Sequence, residues 1–220
     1  MTTSSPTRLL VLSAGMSTPS STRMLADQLA GAARRRLEAE GRTVEVRTVE
    51  LREIAHEILD LMLTRFPGER MGQVLAELRA ADAVIAVTPI FNTAASGLFK
   101  SFLDAVDPDL WKDLPVMLGA TAGTARHSLA LEYAIRPIFA YLRAEVVPTA
   151  VFAASSDFGA AEAGEGADAP LSARADRAAA ELARLLGDRA PAPQAAPAVQ
   201  APGLDAEFAD FVPMGQLLGR

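Results

Sequence analysis

The sequence predicts an α/β fold: a five-stranded, doubly wound parallel sheet with helices on both faces. Two observations predict it. Short apolar runs alternate along the chain with longer segments whose apolar residues recur at helical spacing, the pattern of repeated strand and crossover units. One run, residues 83–88 (Ala-Val-Ile-Ala-Val-Thr), is apolar at successive rather than alternate positions, as expected of a strand covered on both faces.

Residues 8–13 are the first strand, closed by Ser-Ala-Gly-Met-Ser-Thr-Pro. Residues 21–40 then carry Leu25, Leu29, Ala32, Ala33 and Leu37 on one helical face, and Gly41 ends that helix. Residues 43–51 alternate Val44, Val46 and Val49 with charged residues, as a strand near a sheet edge does. Helical pieces over 54–66 and 72–81 are broken at Pro67-Gly68, and the 83–88 run follows as the central strand. A helix over 96–106 places Leu98, Phe99, Phe102 and Leu103 together, before a fourth strand over 115–120. A helix over 126–142, a Val-rich fifth strand over 145–153 and a last helix over 172–186, with Ala175, Ala179, Leu182 and Leu185 inward, complete the domain.

Residues 1–187 therefore read as one domain, and 188–203 as a Pro/Ala-rich linker without a core of its own. Residues 204–220 contain Phe208, Phe211, Val212, Met214, Leu217 and Leu218, too apolar for a merely solvated tail. They are expected to dock on the same assembly or on a partner enzyme.

Composition removes several chemistries. A net charge of −6 leaves no broad basic surface for a nucleic-acid backbone, so no nucleic-acid partner is expected. No cysteine means no disulfide, thiolate nucleophile or cysteine-based metal site, and no metal centre is expected. Redox chemistry has to come from a bound cofactor. The start lacks the pattern of a signal peptide and no window is a membrane span, so a cytoplasmic protein with no membrane partner is expected.

In doubly wound sheets ligands sit at the carboxyl ends of the central strands, which singles out three turns. The first, residues 13–22, holds Ser13, Ser17, Thr18, Ser20, Ser21 and Thr22 between a strand and a helix start. Hydroxyls beside helix-start amides suit a phosphate; capping alone, by Ser20 or Ser21, needs one hydroxyl. The second turn, residues 88–97, leaves the central strand through Pro89, Ile90, Phe91, Asn92 and Thr93, where backbone amides can face a planar ring. Phe91 is either a pocket wall or a core filler. The third, residues 119–125, is Gly-Ala-Thr-Ala-Gly-Thr-Ala, small enough for backbone to lie against a ligand.

Other sites are disfavoured. No Gly-x-Gly-x-x-Gly follows the first strand and no Gly-Lys-Ser/Thr occurs. His56-Glu57 has Asp60 where a zinc helix needs its second His, and Gly15-Met16-Ser17 lacks the second Gly of a nucleophile elbow.

Thr88-Pro-Ile-Phe-Asn, Ser96-Gly-Leu-Phe-Lys100 with Asp104, Ala120-Thr-Ala-Gly-Thr with His127, and Leu131-Glu-Tyr-Ala-Ile-Arg-Pro137 together resemble the NADPH-dependent FMN reductase family. The resemblance runs from about Arg8 to Phe152 and implies a flavodoxin-like sheet of order 2-1-3-4-5. It implies an enzyme that binds FMN, uses NADPH or NADH, and supplies reduced flavin to a partner monooxygenase. By it, Ser13, Ser17, Ser20, Ser21 and Thr22 hold the phosphate, and Pro89, Ile90, Phe91, Asn92 and Thr93 line the flavin. Thr121, Ala122, Gly123 and Thr124 border the ring. His127, at the start of the helix after the third turn, is either a contact to flavin or nicotinamide or an inert surface residue near the helix cap. The family carries Tyr where this chain has Phe91, and assembles as homodimers or homotetramers through the helix starting near Ser96.

Hydride transfer between stacked rings needs no side-chain acid or base, so no catalytic residue is assigned. A quinone, azo or metal-oxyanion reductase using the same FMN site is the neighbouring alternative. A flavin-binding electron-transfer or regulatory module without NAD(P)H turnover is the alternative of another class.

Overall fold

The computed structural model describes residues 5–158 and 170–187. The chain divides into two units, Met1–Ala190 and Pro191–Arg220. The linker expected over 188–203 and the docking segment expected over 204–220, with Phe208, Phe211, Leu217 and Leu218, lie outside the described residues.

Five parallel strands carry the domain. β1 (Thr7–Ser13) pairs with β2 (Val44–Glu50) on one side and with β3 (Ala83–Phe91) on the other, and β3 pairs with β5 (Pro115–Ala122). Beyond β5 come β6 (Glu145–Val146) and β7 (Val151–Ala154), both parallel to it. With β6 and β7 taken as one broken position, the order is the expected flavodoxin-like 2-1-3-4-5. β2 is the edge, as its alternation of valines and charges requires. Arg47 of β2 pairs with Glu77 at 2.9 Å, and charged side chains blunt that open edge.

Successive side chains of a strand point to opposite faces, so the buried strands feed two cores. Leu9, Val11, Ile85, Val87 and Met117 pack beneath α1 (Ser21–Ala39) and α6 (Leu171–Gly187), meeting Leu25, Leu29, Ala179 and Leu182. Leu10, Leu12, Val84, Ala86 and Leu118 face the other helices: α2 (Ala55–Thr64), α3 (Glu69–Ala80), α4 (Gly97–Ala105) and α5 (Arg136–Tyr141). On that side Trp111 packs edge-on against Phe139 at 5.4 Å and against Phe102 at 6.4 Å, fixing α4 to α5. Gly41 ends α1 as expected: at φ +80° it lets its own N–H reach Glu38 and that of Arg42 reach Leu37.

Four expectations are corrected. The fifth strand is not continuous over 145–153; residues 147–150 interrupt it, where Pro148 has no N–H to give a ladder. Arg136 holds the break, donating to the carbonyls of Val147 at 3.0 Å and Pro148 at 2.9 Å. The helix over 126–142 is likewise not one helix. A tight turn at Ala125–His127 leads to a wide π turn at Leu131–Ile135 and only then to α5, because Pro137 cannot continue a regular ladder from the preceding turn.

The third correction concerns the second turn. β3 runs on to Phe91, and a short antiparallel strand, β4 (Ala94–Ala95), folds back on it. Pro89 is therefore a strand residue. The Val87 carbonyl takes the Ala14 N–H on the β1 side, and Pro89 faces that side where β1 has ended, so its missing N–H costs no ladder bond. The fourth concerns Gly119, which lies inside β5. A Cβ there would stand 3.0 Å from Leu29 Cδ1 and 3.2 Å from Val87, so its smallness serves the packing of α1 on the sheet.

Candidate functional site

The sheet brings the three turns to one rim. In register, Ser13 stands beside Val87, Val87 beside Gly119, and Pro89 beside Thr121, so β1, β3 and β5 end next to one another. The Thr22 and Thr121 hydroxyls hydrogen-bond at 2.8 Å in the interior, tying the start of α1 to the end of β5.

In the first turn the hydroxyls divide by role. Ser20 caps α1, accepting from the Arg23 N–H at 3.2 Å, and Ser21 is exposed in the first turn of the helix. Ser17 is exposed and donates to the Pro19 carbonyl at 2.9 Å. The Ser13 hydroxyl is buried, with no hydrogen-bond partner among the described residues. A buried hydroxyl is stable only with a partner, so at the carboxyl end of β1 it points to a ligand group or an ordered water. Gly15 lies so close to Ser20 that a Cβ there would stand 2.0 Å from its Oγ.

Charge enters this turn from outside it. Arg52, just after β2, donates to the Ser17 carbonyl at 3.0 Å and to the Thr18 hydroxyl. Glu50 bonds Arg52 at 2.7 Å and Arg23 at 2.8 Å. The hydrogen bond from Arg23 to Asp27, opposed by burial and reinforced by Asp27 and Glu50, raises the Arg23 pKa and keeps it firmly charged.

The second turn is a tight hairpin. Ile90 is buried, and Phe91 at its end is 48% exposed, which settles it as a surface residue of the rim, not a core filler. Asn92 and Thr93 both have positive φ, 49° and 69°. That pair matches the twist of a two-residue hairpin but strains a β-branched Thr, and strained turns cluster at functional sites. Ser96 and Thr88 close the hairpin from beneath: the Ser96 N–H donates to Thr88 Oγ1 at 3.1 Å, while Ser96 Oγ caps α4. In the third turn Thr121 is buried, Ala122 half-buried, and Gly123 and Thr124 exposed. A Cβ on Gly123 would meet nothing within 4 Å, so no contact among the described residues accounts for its size. His127 follows, partly exposed, at the end of the tight turn. A cavity of about 420 Å³ lies apart from this rim, between α4 and α5, lined by Lys100, Leu103, Pro137, Ile138 and Tyr141 among others; no residue of the three turns lines it.

The family model for NADPH-dependent FMN reductases matches residues 7–159. The chain belongs to the NADPH-dependent FMN reductase family. It is 32% identical to an FMN reductase (NADPH) of Pseudomonas aeruginosa, over 84% of this chain and 95% of that one. It is 34% identical to the NADH-dependent FMN reductase SfnF of Pseudomonas fluorescens, over 84% of this chain and 94% of that one. Among solved structures it resembles an oxidoreductase from Corynebacterium diphtheriae at 43% identity and a TM-score of 0.79, covering 85% of this chain and 100% of that one.

This FMN reductase is thus an oxidoreductase whose cofactors are FMN and NADPH or NADH. Its rim has features that suit a phosphorylated flavin: a hydroxyl buried without a partner among the described residues, a capped helix start and a close-approach glycine stand together at one strand end. Sequence reasoning missed four contributors. Gly15 was visible only as a failed hydrolase motif, Ser96 only as part of the family pattern. Arg52 and Glu50 carried no signal, because their place beside the first turn depends on β2 pairing with β1.

Proposed function

We propose that this FMN reductase holds the FMN phosphate with Ser13, Ser17, Ser20, Ser21 and Thr22. The ring then lies against Pro89, Ile90, Phe91, Asn92 and Thr93 on one side and Thr121, Ala122, Gly123 and Thr124 on the other, with His127 at its margin. The observation that carries this reading is the convergence of the three turns at one sheet edge, where the Ser13 hydroxyl is buried without a partner among the described residues. FMN held there would supply the two-electron redox chemistry between the nicotinamide and an acceptor.

The chain's own part is to hold and to exclude. Helix-start amides and short hydroxyls receive an anion at the first turn, and the hairpin backbone receives a flat ring with polar edges. The buried Thr22–Thr121 bond keeps the two halves of the site in fixed relation. No side chain has to move a proton, in keeping with a chain that offers only His56, exposed on α2, and His127, partly exposed after the third turn.

We take the product to be reduced FMN, delivered to a flavin-dependent monooxygenase, and the working form to be a homodimer or homotetramer. Exposed Leu129, Tyr133 and Tyr141 support an assembly larger than one chain. The test is anaerobic: NADPH or NADH is added to the protein with FMN while the flavin absorbance is followed. Bleaching with turnover supports the reading, and a strong preference in kcat/KM for a quinone over FMN replaces it with the quinone reductase alternative. Absence of bleaching leaves a flavin-binding module.

A further inference from the structure

We propose that Arg52, set by Glu50, is a positioning residue that shapes the first turn for a phosphate and so makes this enzyme distinguish FMN from riboflavin. The inference rests on the reading that the phosphate sits in that turn.

The turn itself, residues 13–22, contains no Lys or Arg. An anion there has to be held by N–H and O–H donors, and each carbonyl that faces it is repulsive. Two carbonyls of the turn are already occupied by donors. Ser17's accepts from Arg52 Nη1 at 3.0 Å, and Pro19's accepts from the Ser17 hydroxyl at 2.9 Å. The C=O and N–H of a trans peptide point in opposite directions. With the Ser17 carbonyl fixed on Arg52, the Thr18 N–H of the same peptide points away from Arg52. Arg52 also holds the Thr18 hydroxyl, so one guanidinium bonds to both residues that form that peptide.

The guanidinium is itself set. Glu50 takes Arg52 Nη2 on one oxygen at 2.7 Å and Arg23 Nη1 on the other at 2.8 Å. Arg23 lies in the first turn of α1 and its N–H is the one capped by Ser20. One carboxylate at the end of β2 therefore couples the middle of the turn to the start of the helix. Arg, with its planar fork of donors, can serve Ser17, Thr18 and Glu50 together; Lys cannot hold all three in that geometry.

Riboflavin carries the same ring without the phosphate, so it separates the two halves of the site. Arg52→Gln and Arg52→Lys are made in the full chain, and dissociation constants for FMN and riboflavin are measured by quenching of flavin fluorescence, with Tm recorded for each protein. The expected result is an FMN affinity about tenfold weaker in Arg52→Gln, with riboflavin changed less than about twofold, as the loss of a charge-assisted hydrogen bond predicts. Arg52→Lys falls between the wild type and Arg52→Gln, and carries the test alone if Arg52→Gln does not fold. An FMN to riboflavin ratio equal to that of the wild type overturns the inference, whether both affinities fall together or neither moves. If the wild-type protein itself binds the two flavins equally, the phosphate reading of the turn fails and the inference goes with it.

Discussion

The hydroxyls of Thr22 and Thr121, 99 residues apart in the chain, share a 2.8 Å hydrogen bond inside the protein. Both residues are buried, 2% and 4% exposed, so neither hydroxyl has bulk water as a substitute partner. Thr22→Val or Thr121→Val alone strands the other hydroxyl and is expected to cost about 1–3 kcal/mol of stability. The double variant replaces the pair by two apolar groups of the same shape and should cost less than the sum. Urea unfolding of the four proteins checks this, and additive losses would show that the two hydroxyls do not depend on each other.

Gly15 sets a second relation, with Ser20. A Cβ on Gly15 would fall 2.0 Å from Ser20 Oγ, so Gly15→Ala has to drive that hydroxyl off the Arg23 N–H it caps and shift the turn as well. Ser20→Ala removes the cap, an expected loss of about 1 kcal/mol, together with one hydroxyl proposed for the phosphate, but leaves the backbone of the turn in place. Gly15→Ala should therefore lower both Tm and FMN affinity further than Ser20→Ala. Thermal melts and flavin titrations of the two variants compare them, and equal effects would mean that the turn absorbs the added methyl without moving.

At Gly119 the close approach is between layers. An added methyl would press on Leu29 of α1 at 3.0 Å and on Val87 of β3 at 3.2 Å, neither of which is free to leave the core. Gly119→Ala is expected to destabilise by about 1–3 kcal/mol through overpacking. Because part of the strain falls on Leu29, the combination with Leu29→Ala should cost less than the two single changes added together. Denaturant midpoints for the four proteins measure the coupling.

How much of this was legible beforehand follows from what a sequence encodes locally. The apolar runs at residues 8–13, 83–88 and 115–120 announce strands because burial on both faces demands consecutive apolar residues. The Val-rich stretch after Glu145 hides its break for the same reason: composition reads as strand, while Pro148 and the Arg136 bonds that hold the gap act through tertiary structure. Helical periodicity over 126–142 does not separate an α turn from the π turn at Leu131–Ile135, since the apolar face is nearly common to both. The hydroxyl-rich first turn is visible from composition alone. Its partners are not, because Thr121 and Arg52 reach it only through the pairing of β1 with β3 and β2 and of β3 with β5.

The pairing of Arg136 with Glu132 makes the last prediction, one of pH. Arg136 Nε donates to Glu132 Oε2 at 2.5 Å and Nη2 to Oε1 at 3.0 Å, joining the π turn that holds Glu132 to the start of α5. The hydrogen bond from Arg136, opposed by desolvation and aided by its charge, holds the Glu132 carboxyl below the usual glutamate range. A carboxyl whose pKa is lower folded than unfolded adds stability above its unfolded value, and that stability is lost as the pH falls through the folded value. Glu132 is 47% exposed, so solvent screens the pair and its worth at neutral pH is under about 1 kcal/mol. Glu132→Gln should thus be slightly less stable than the wild type at neutral pH and equal to it once acid has titrated the carboxyl. Arg136→Ala should lose more, and lose it at both pH values, because the carbonyls of Val147 and Pro148 lose their donors along with Glu132. Unfolding free energies of the three proteins at neutral pH and below the glutamate range check both statements. A gap between Glu132→Gln and wild type that persists in acid would show that Glu132 acts there through packing and not through its charge.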